Sequence, residues 1–364
     1  MRIGMILDKT FPPDPRVENE AISLINAGHE VFLFCLKYSE KEKDEIINGI
    51  RVKRYLSNKI IYKLSALVYT LPFYTWIMSN KIRQFIKAFG IEAIHIHDMQ
   101  IAQAVIEANK DKLPWVLDLH DNMPENIRYY PHLQRFPGKQ LISLRKWKQK
   151  EKEFIEKATK ICTVSQEFID EILSRIKVPS EKMVLVPNTV LSSFYTNANI
   201  ETSILKRYKE DFVILYLGDT ALRRGLQTAI ESMVFLKDTI PNLKLVIVGS
   251  STTDYVLKEQ VKEKNLEEFV DFEGWKDVRL FPSYIQSSAI CISPLDRNAQ
   301  HDVAYANKLF QYMSFGKPLV VSDAIAQMKL IGRIHSGCVH REKDPQDLAD
   351  KILLLYRDID LRLE

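Results

Sequence analysis

Short apolar runs that alternate with amphipathic stretches of helical period constrain this chain more than any other feature. MRIGMIL, VFLFC, WVLDL and FVILYLG read as buried strands, and the stretches between them carry helical periodicity. Such alternation is the mark of β-α units stacked on a parallel sheet. In the first half the predicted strands fall at 2–7, 31–36, 50–54, 93–96, 115–119, 160–164 and 183–186. In the second they fall at 212–217, 243–248, 268–272, 288–292 and 318–321. Helices fit between them, among them Asn19–Ala27, Ile101–Asn109 and Leu226–Leu236. No internal repeat or low-complexity tract interrupts the series.

The rhythm breaks once. VPNTVLSSFYTNANIETS is polar, rich in Asn and without periodicity, so it reads as a linker. The expected organisation is a first domain over 1–190, a linker over 191–203 and a second domain over 204–364. A length of 364 residues suits two domains. The expected fold class is α/β, with two doubly wound parallel-sheet domains facing across a cleft. Ligands of such sheets bind beyond the carboxyl ends of the strands, so the cleft is the expected site.

Composition narrows the function classes. The chain is 46 % hydrophobic and 27 % charged, which excludes a disordered, collagen-like or disulfide-stapled protein. The net charge of +4 is too small to argue for nucleic acid, and no nucleic-acid motif accompanies the dispersed cations. It leaves room for an anionic ligand or an acidic membrane surface. Only 12 residues are Gly, so a phosphate site here cannot rest on a Gly-rich loop. Cys35, Cys162, Cys291 and Cys338 are far apart, the first three in apolar runs, and as scattered free thiols they suit the cytoplasm. Asp8 and Lys9 interrupt the first apolar run before it reaches the length of a signal peptide.

Two segments depart from the pattern. Ile60–Ser79 is crowded with Tyr, Phe, Trp and Leu, contains Lys63 and Pro72, and is flanked by Lys59, Lys81 and Arg83. Its interior Lys and Pro argue against a membrane span, leaving an interfacial element or a buried helix. Lys139–Lys160 interleaves eight Lys and Arg with Glu151, Glu153 and Glu156. It reads either as a solvated helix with i,i+4 pairs or as a basic face for anionic headgroups.

Polar residues gather where strands end. The first strand leads into Lys9-Thr10-Phe11-Pro12-Pro13-Asp14-Pro15-Arg16, the fourth into His95-Ile96-His97-Asp98, and the fifth into Asp118-Leu119-His120-Asp121-Asn122. Arg16, Asp98 and Asp121 are therefore cleft candidates. His95 and His97 fall on one sheet face, but no third ligand has a fixed spacing to them, so no metal is assigned. In the second half FVILYLG ends at Gly218, and Arg224 precedes a helix that begins near Gly225. A phosphate there would meet free backbone N–H groups, a helix dipole and an Arg. Lys308 lies in the first turn of a later helix, where a cation is unfavourable unless an anion is bound.

With those residues in view, the chain resembles the glycosyltransferases of the GT-B fold, in the broad retaining group called family 4, over essentially its whole length. Asp14-Pro15-Arg16-Val17, Ala27-Gly28-His29-Glu30-Val31, TVSQEFID, VPNTV, YLGDTALRRGLQTAIESM, LKLVIVGSS and NKLFQYMSFGKPLVVSD occur in the family's order and spacing. The resemblance implies that His120 contacts the transferred sugar and that Arg224 and Lys308 hold the donor diphosphate. It places Gly218, Asn307 and Gln311 against the nucleotide or sugar, with Gln311 at the ribose.

The resemblance also implies transfer of a sugar from a UDP- or GDP-linked donor to a hydroxyl of a saccharide or lipid-linked acceptor. The configuration would be retained, and neither metal nor cofactor would be needed. Such an enzyme would work in the cytoplasm, peripherally on the inner face of the membrane, making cell-surface polysaccharide or glycolipid. This chain has Val303 and Gln311 where the family's Glu-x7-Glu signature has acids, and Gly218-Asp219 where Gly-Arg is common. Those departures keep an inactive nucleotide-sugar-binding subunit among the alternatives, beside a sugar-nucleotide epimerase. The family pattern continues past the end of this sequence with a helix that crosses back to the first domain, so that crossover is expected to be absent or shortened here.

Overall fold

A computed structural model describes residues 1–40, 43–129, 136 and 138–363. The side chain of Lys139, the first cation of the predicted basic segment, lies outside the described residues. Contacts divide the chain into two units, Met1–Pro187 and Asn188–Glu364.

The first unit is built on eight strands: β1 (Arg2–Ile6), β2 (Glu30–Lys37), β3 (Glu45–Ile47), β4 (Ile50–Leu56), β5 (Ala93–His97), β6 (Trp115–Leu119), β7 (Lys160–Thr163) and β8 (Met183–Leu185). Their order in the sheet is β3-β4-β2-β1-β5-β6-β7-β8, and every pairing is parallel except β3 on β4. Helices cover both faces, so the central strands are buried over most of their length. Met5, Leu33 and Cys35 pack towards α1 (Pro15–Asn26), while Phe34 meets Phe85 of α3 (Phe73–Phe89) edge to face.

The second unit holds β9 (Phe212–Leu217), β10 (Leu243–Val248), β11 (Val270–Gly274), β12 (Ile290–Ser293), β13 (Leu319–Ser322) and β14 (Gly337–His340). This sheet is parallel throughout, in the order β11-β10-β9-β12-β13-β14. Two apolar cores flank it. One joins Ile214 and Tyr216 to the helix Leu226–Leu236, and the other joins Leu215 and Leu217 to Leu309 and Tyr312.

The twelve predicted strands are all present, with ends displaced by one or two residues. Two further strands escape the sequence signal. β3 is a short antiparallel edge rich in exposed side chains, and β14 opens on Gly337. α1 starts four residues before its predicted beginning, because Asp14 caps it by accepting from the Val17 N–H and Pro15 occupies the first turn. Within the segment predicted to be an irregular linker, Ser193–Thr196 forms a short helix, and a second helix, Thr202–Arg207, begins at its end.

Among the described residues no helix is long and apolar enough to cross a membrane. The aromatic segment instead breaks into α2 (Lys59–Ser65), a turn, and the start of α3 at Pro72. The basic segment forms the helix Leu144–Lys157, capped by Ser143, whose Trp147, Glu151, Phe154 and Ile155 are buried. Lys152–Glu156 and Glu153–Lys157 pair on its outer face.

Candidate active site

In the first unit β1 lies between β2 and β5, so the winding of the sheet reverses there. The crevice beyond the carboxyl ends of β1, β5 and β6 is where a doubly wound sheet binds ligands. Asp8 and Lys9 follow β1, Asp98 follows β5, and His120 and Asp121 follow β6. His120 Nε2 stands 3.2 Å from Asp98 Oδ2, and Nδ1 stands 3.5 Å from Asp118 Oδ2. Burial opposes an imidazolium, but the two carboxylates outweigh it and hold the His120 pKa well above its ordinary value. Lys9 Nζ reaches the same Asp98 oxygen at 3.3 Å.

Asp98 adopts φ 65°, ψ 155°, a conformation that costs a side-chain-bearing residue on the order of 1–3 kcal/mol. Its Oδ1 has no hydrogen-bond partner among the described residues. Burial raises the cost of its charge, yet His120 and Lys9 keep its pKa below the ordinary carboxylate range. Asp121 is half-buried beside this group, and its charge adds to the field that raises the Lys9 pKa.

Arg16 does not stand free in the crevice. Its guanidinium makes a bidentate pair with Asp118, Nε to Oδ2 at 2.9 Å and Nη2 to Oδ1 at 2.6 Å. It also donates to the Val186 carbonyl and lies 2.9 Å from Glu20 Oε1. Arg16 thus anchors Asp118, which in turn faces His120 and His97.

The fold adds what linear spacing hid. The stacked rings of His95 and His97, with centroids 4.6 Å apart, meet Glu20 from α1 and Asp118 from β6. One ligand atom from each of the four lies within 4.8 Å of the others. Two His and two carboxylates are a donor set that zinc accepts. Arg16, however, already bridges both carboxylates, so the cation balancing this cluster is a guanidinium. The remaining groups carry reduced charge: burial and then Asp118 push the Glu20 pKa up to about 7, while burial and then His97 push His95 down to about 3.

In the second unit the strand order reverses between β9 and β12. β9 runs out at Gly218, and Leu222–Arg224 forms one tight turn before Gly225 and the helix Leu226–Leu236. Gly225 is required, since a Cβ there would lie 1.7 Å from the Pro294 carbonyl oxygen and φ is +74°. Lys308, in the first turn of the helix Asn307–Met313, is buried with its Nζ 3.4 Å from the centroid of the Tyr216 ring. That ammonium has no hydrogen-bond partner among the described residues. Burial and then the neighbouring Arg224 depress its pKa well below the ordinary value.

Arg224 Nε donates to Asp219 Oδ2 at 3.2 Å, and Nη1 lies 3.5 Å from His301 Nε2. Two cations converge here with one half-exposed carboxylate between them, an arrangement that favours a bound anion. Gly218 leaves room beside them, because a Cβ there would sit 3.6 Å from Lys308 Nζ. Asn307 is exposed and Gln311 half-buried one turn further along that helix, while Val303 is buried.

Comparison with known proteins decides the family. A model described as Glycosyltransferase Family 4 matches residues 16–191, and one described as Glycosyl transferases group 1 matches residues 198–364. The chain belongs to this glycosyltransferase family. Its fold is GT-B, as in a sucrose-phosphate synthase from Thermosynechococcus elongatus, 17 % identical, with a TM-score of 0.78 over 100 % of this chain and 91 % of that one. Anabaena HepE in complex with UDP is also similar, at 16 % identity and a TM-score of 0.69 over 100 % of this chain and 92 % of that one. Among curated relatives, the amylovoran biosynthesis glycosyltransferase AmsK of Erwinia amylovora is 28 % identical over 143 residues. That match spans 39 % of this chain and 35 % of AmsK.

The glycosyltransferase brings together residues that the sequence singled out separately. His120 and Asp98 form one group, and Gly218, Arg224 and Lys308 form another. Sequence reasoning named Lys9 and Asp118 only within the strand-end loops, and it did not single out Glu20 or His301. A signal existed for Asp118, a lone charge inside the apolar strand WVLDL, and for Glu20, four residues after Arg16 on α1.

Proposed function

We propose that this glycosyltransferase moves a sugar from a nucleotide-diphosphate donor to a hydroxyl acceptor with retention of configuration. The observation that carries the reading is the buried Lys308 ammonium beside Arg224, without a hydrogen-bond partner among the described residues. As the glycosidic bond breaks, negative charge accumulates on the departing diphosphate. Preplaced cations whose attraction grows with that charge lower the barrier. In this role Arg224 and Lys308 supply the charge that a divalent metal would otherwise bring. Gly218 gives the phosphates room, and Asn307 and Gln311 lie where the family resemblance puts the nucleotide and sugar.

A uridine nucleotide is the favoured donor base, since HepE is described in complexes with UDP and UDP-glucose. The acceptor is proposed to be a saccharide or lipid-linked hydroxyl in cell-surface polysaccharide or glycolipid synthesis. AmsK supports this, being named for amylovoran biosynthesis. His120, held between Asp98 and Asp118, is proposed to contact the transferred sugar. The protein is proposed to work peripherally at the inner face of the cell membrane.

The test is a donor-dependent transfer assay with EDTA present. Arg224→Ala and Lys308→Ala should each raise donor KM and lower kcat, costing roughly 1.5–3 kcal/mol for one charge-assisted contact. Full loss of transfer with the chelator would overturn the metal-independent version. If both variants bind UDP as tightly as the parent, the diphosphate lies elsewhere. Turnover of nucleotide sugar into an epimer without acceptor would establish the epimerase alternative, and nucleotide-sugar binding without turnover the inactive subunit.

A further inference from the structure

The surface of the first unit is unevenly charged. Between Glu45 and Glu92 the chain has no Asp or Glu but eight Lys and Arg. Between Glu125 and Glu151 it again has none, with seven Lys and Arg. The fold brings these two acid-free stretches together. The Tyr69 ring meets the Trp147 ring edge to face at 4.6 Å, and Thr70 Oγ1 donates to the Leu141 carbonyl at 2.7 Å.

On the first stretch, α2 packs against α3 and large apolar side chains face outward. Ile60 is 70 % exposed, Tyr62 66 %, Phe73 56 % and Trp76 66 %. The opposite side of α3, with Tyr74, Met78, Ile82 and Phe85, fills the core, so Phe73 and Trp76 are not needed to hold the helix in place. Lys59, Lys63, Arg145 and Lys146 form no ion pair among the described residues. Large exposed apolar side chains carried on adjoining helices mark an interaction surface more often than singly scattered ones do. Trp and Tyr rings suit the boundary between headgroups and acyl chains, and cations without ion pairs on the same two adjoining stretches suit anionic headgroups. A second copy of this surface would meet it with the same sign of charge.

We propose that the α2–α3 face docks on a bilayer bearing anionic lipids. Phe73, Trp76, Ile60 and Tyr62 enter the interface, and Lys59, Lys63, Arg145 and Lys146 hold the headgroups. The inference deepens the proposed peripheral role and is independent of whether sugar is transferred.

The experiment is flotation of the full chain with phosphatidylcholine vesicles, with or without phosphatidylglycerol as a third of the lipid. The parent should float with the phosphatidylglycerol vesicles, stay behind with pure phosphatidylcholine, and release at high salt. Phe73→Ser/Trp76→Ser and Lys59→Glu/Lys63→Glu should each weaken the anionic binding about tenfold or more, each Lys near such a surface contributing about 1 kcal/mol. UDP binding, which rests on the second unit, should stay unchanged, and an unchanged circular dichroism spectrum and thermal unfolding curve show that the first unit of each variant is folded. Absence of parent binding, equal binding to both vesicle types, or variants that bind like the parent would each overturn the proposal. A parent dimer abolished by Phe73→Ser/Trp76→Ser would overturn it in favour of a second copy. Loss of UDP binding by the parent would instead count against the transferase reading and leave this one standing.

Discussion

His120 Nε2 and Asp98 Oδ2 face each other at 3.2 Å across the ends of two neighbouring strands, and the Asp98 backbone is held in a strained conformation to make the pair. The pair fixes both the orientation and the protonation of the imidazole. Because the His120 pKa is raised in the folded state, its favourable interaction is fully present below about pH 6.5, the ordinary value. It is lost as pH rises through the higher folded value. Asp98→Asn should therefore lower the NMR titration midpoint of His120 by about one to three pH units. The alkaline limb of the kcat profile should move the same way. A midpoint unchanged by the substitution would show that Asp118 alone holds the proton.

Arg16 and Asp118 lead to a stability prediction. The Asp118 carboxylate is fully buried and depends on Arg16 for two hydrogen bonds. Arg16→Ala leaves that charge without its bidentate partner, which should destabilise the first unit by about 3–5 kcal/mol in chemical denaturation. Arg16→Lys should rescue only part of this, since an ammonium cannot make the bidentate pair. Equal stability of the Lys variant and the parent would reduce the contact to simple charge balance.

These two cases show why the fold was more legible in the sequence than the site. A buried parallel strand announces itself over four or five consecutive residues, as FVILYLG does, and errors stay at its ends. Arg16 was legible as a polar residue after a strand but not as Asp118's partner, because 102 positions separate them and only sheet order brings them together. The same holds for the group of Glu20, His95, His97 and Asp118, whose members come from one helix and two strands. Lys308 was legible on local grounds, since a cation in the first turn of a helix conflicts with the dipole and so asks for an anion. β3 and β14 were illegible because an exposed edge and a strand opening on Gly carry little apolar signal.

Gln311 yields a gain-of-function prediction. It lies three residues after Lys308, half-buried on the same helix, where the family resemblance places a ribose contact. A neutral amide makes a weaker hydrogen bond to a hydroxyl than a carboxylate does. Gln311→Glu should tighten UDP binding about fivefold, the equivalent of about 1 kcal/mol. Isothermal titration with UDP and with inorganic diphosphate separates the outcomes. A gain confined to UDP places the ribose at residue 311, and no gain with either ligand removes it from there.

The last prediction concerns the proton on Lys308. Buried over the Tyr216 ring and beside Arg224, its ammonium is destabilised, and its pKa lies well below the ordinary value. A diphosphate bound against it would restore the charged form, so the pKa must rise on binding. Wherever the solution pH lies between the free and bound values, binding takes up protons. UDP titrated calorimetrically in two buffers of different ionisation enthalpy, across a series of pH values, should therefore show net proton uptake within that interval. Affinity should fall as pH rises in that range. Lys308→Ala should abolish the uptake as well as weaken binding, whereas Arg224→Ala should weaken binding and, by removing a cation that depresses the Lys308 pKa, move the uptake to higher pH without abolishing it. Uptake that persists in Lys308→Ala would assign the proton to another group and put the diphosphate away from this ammonium.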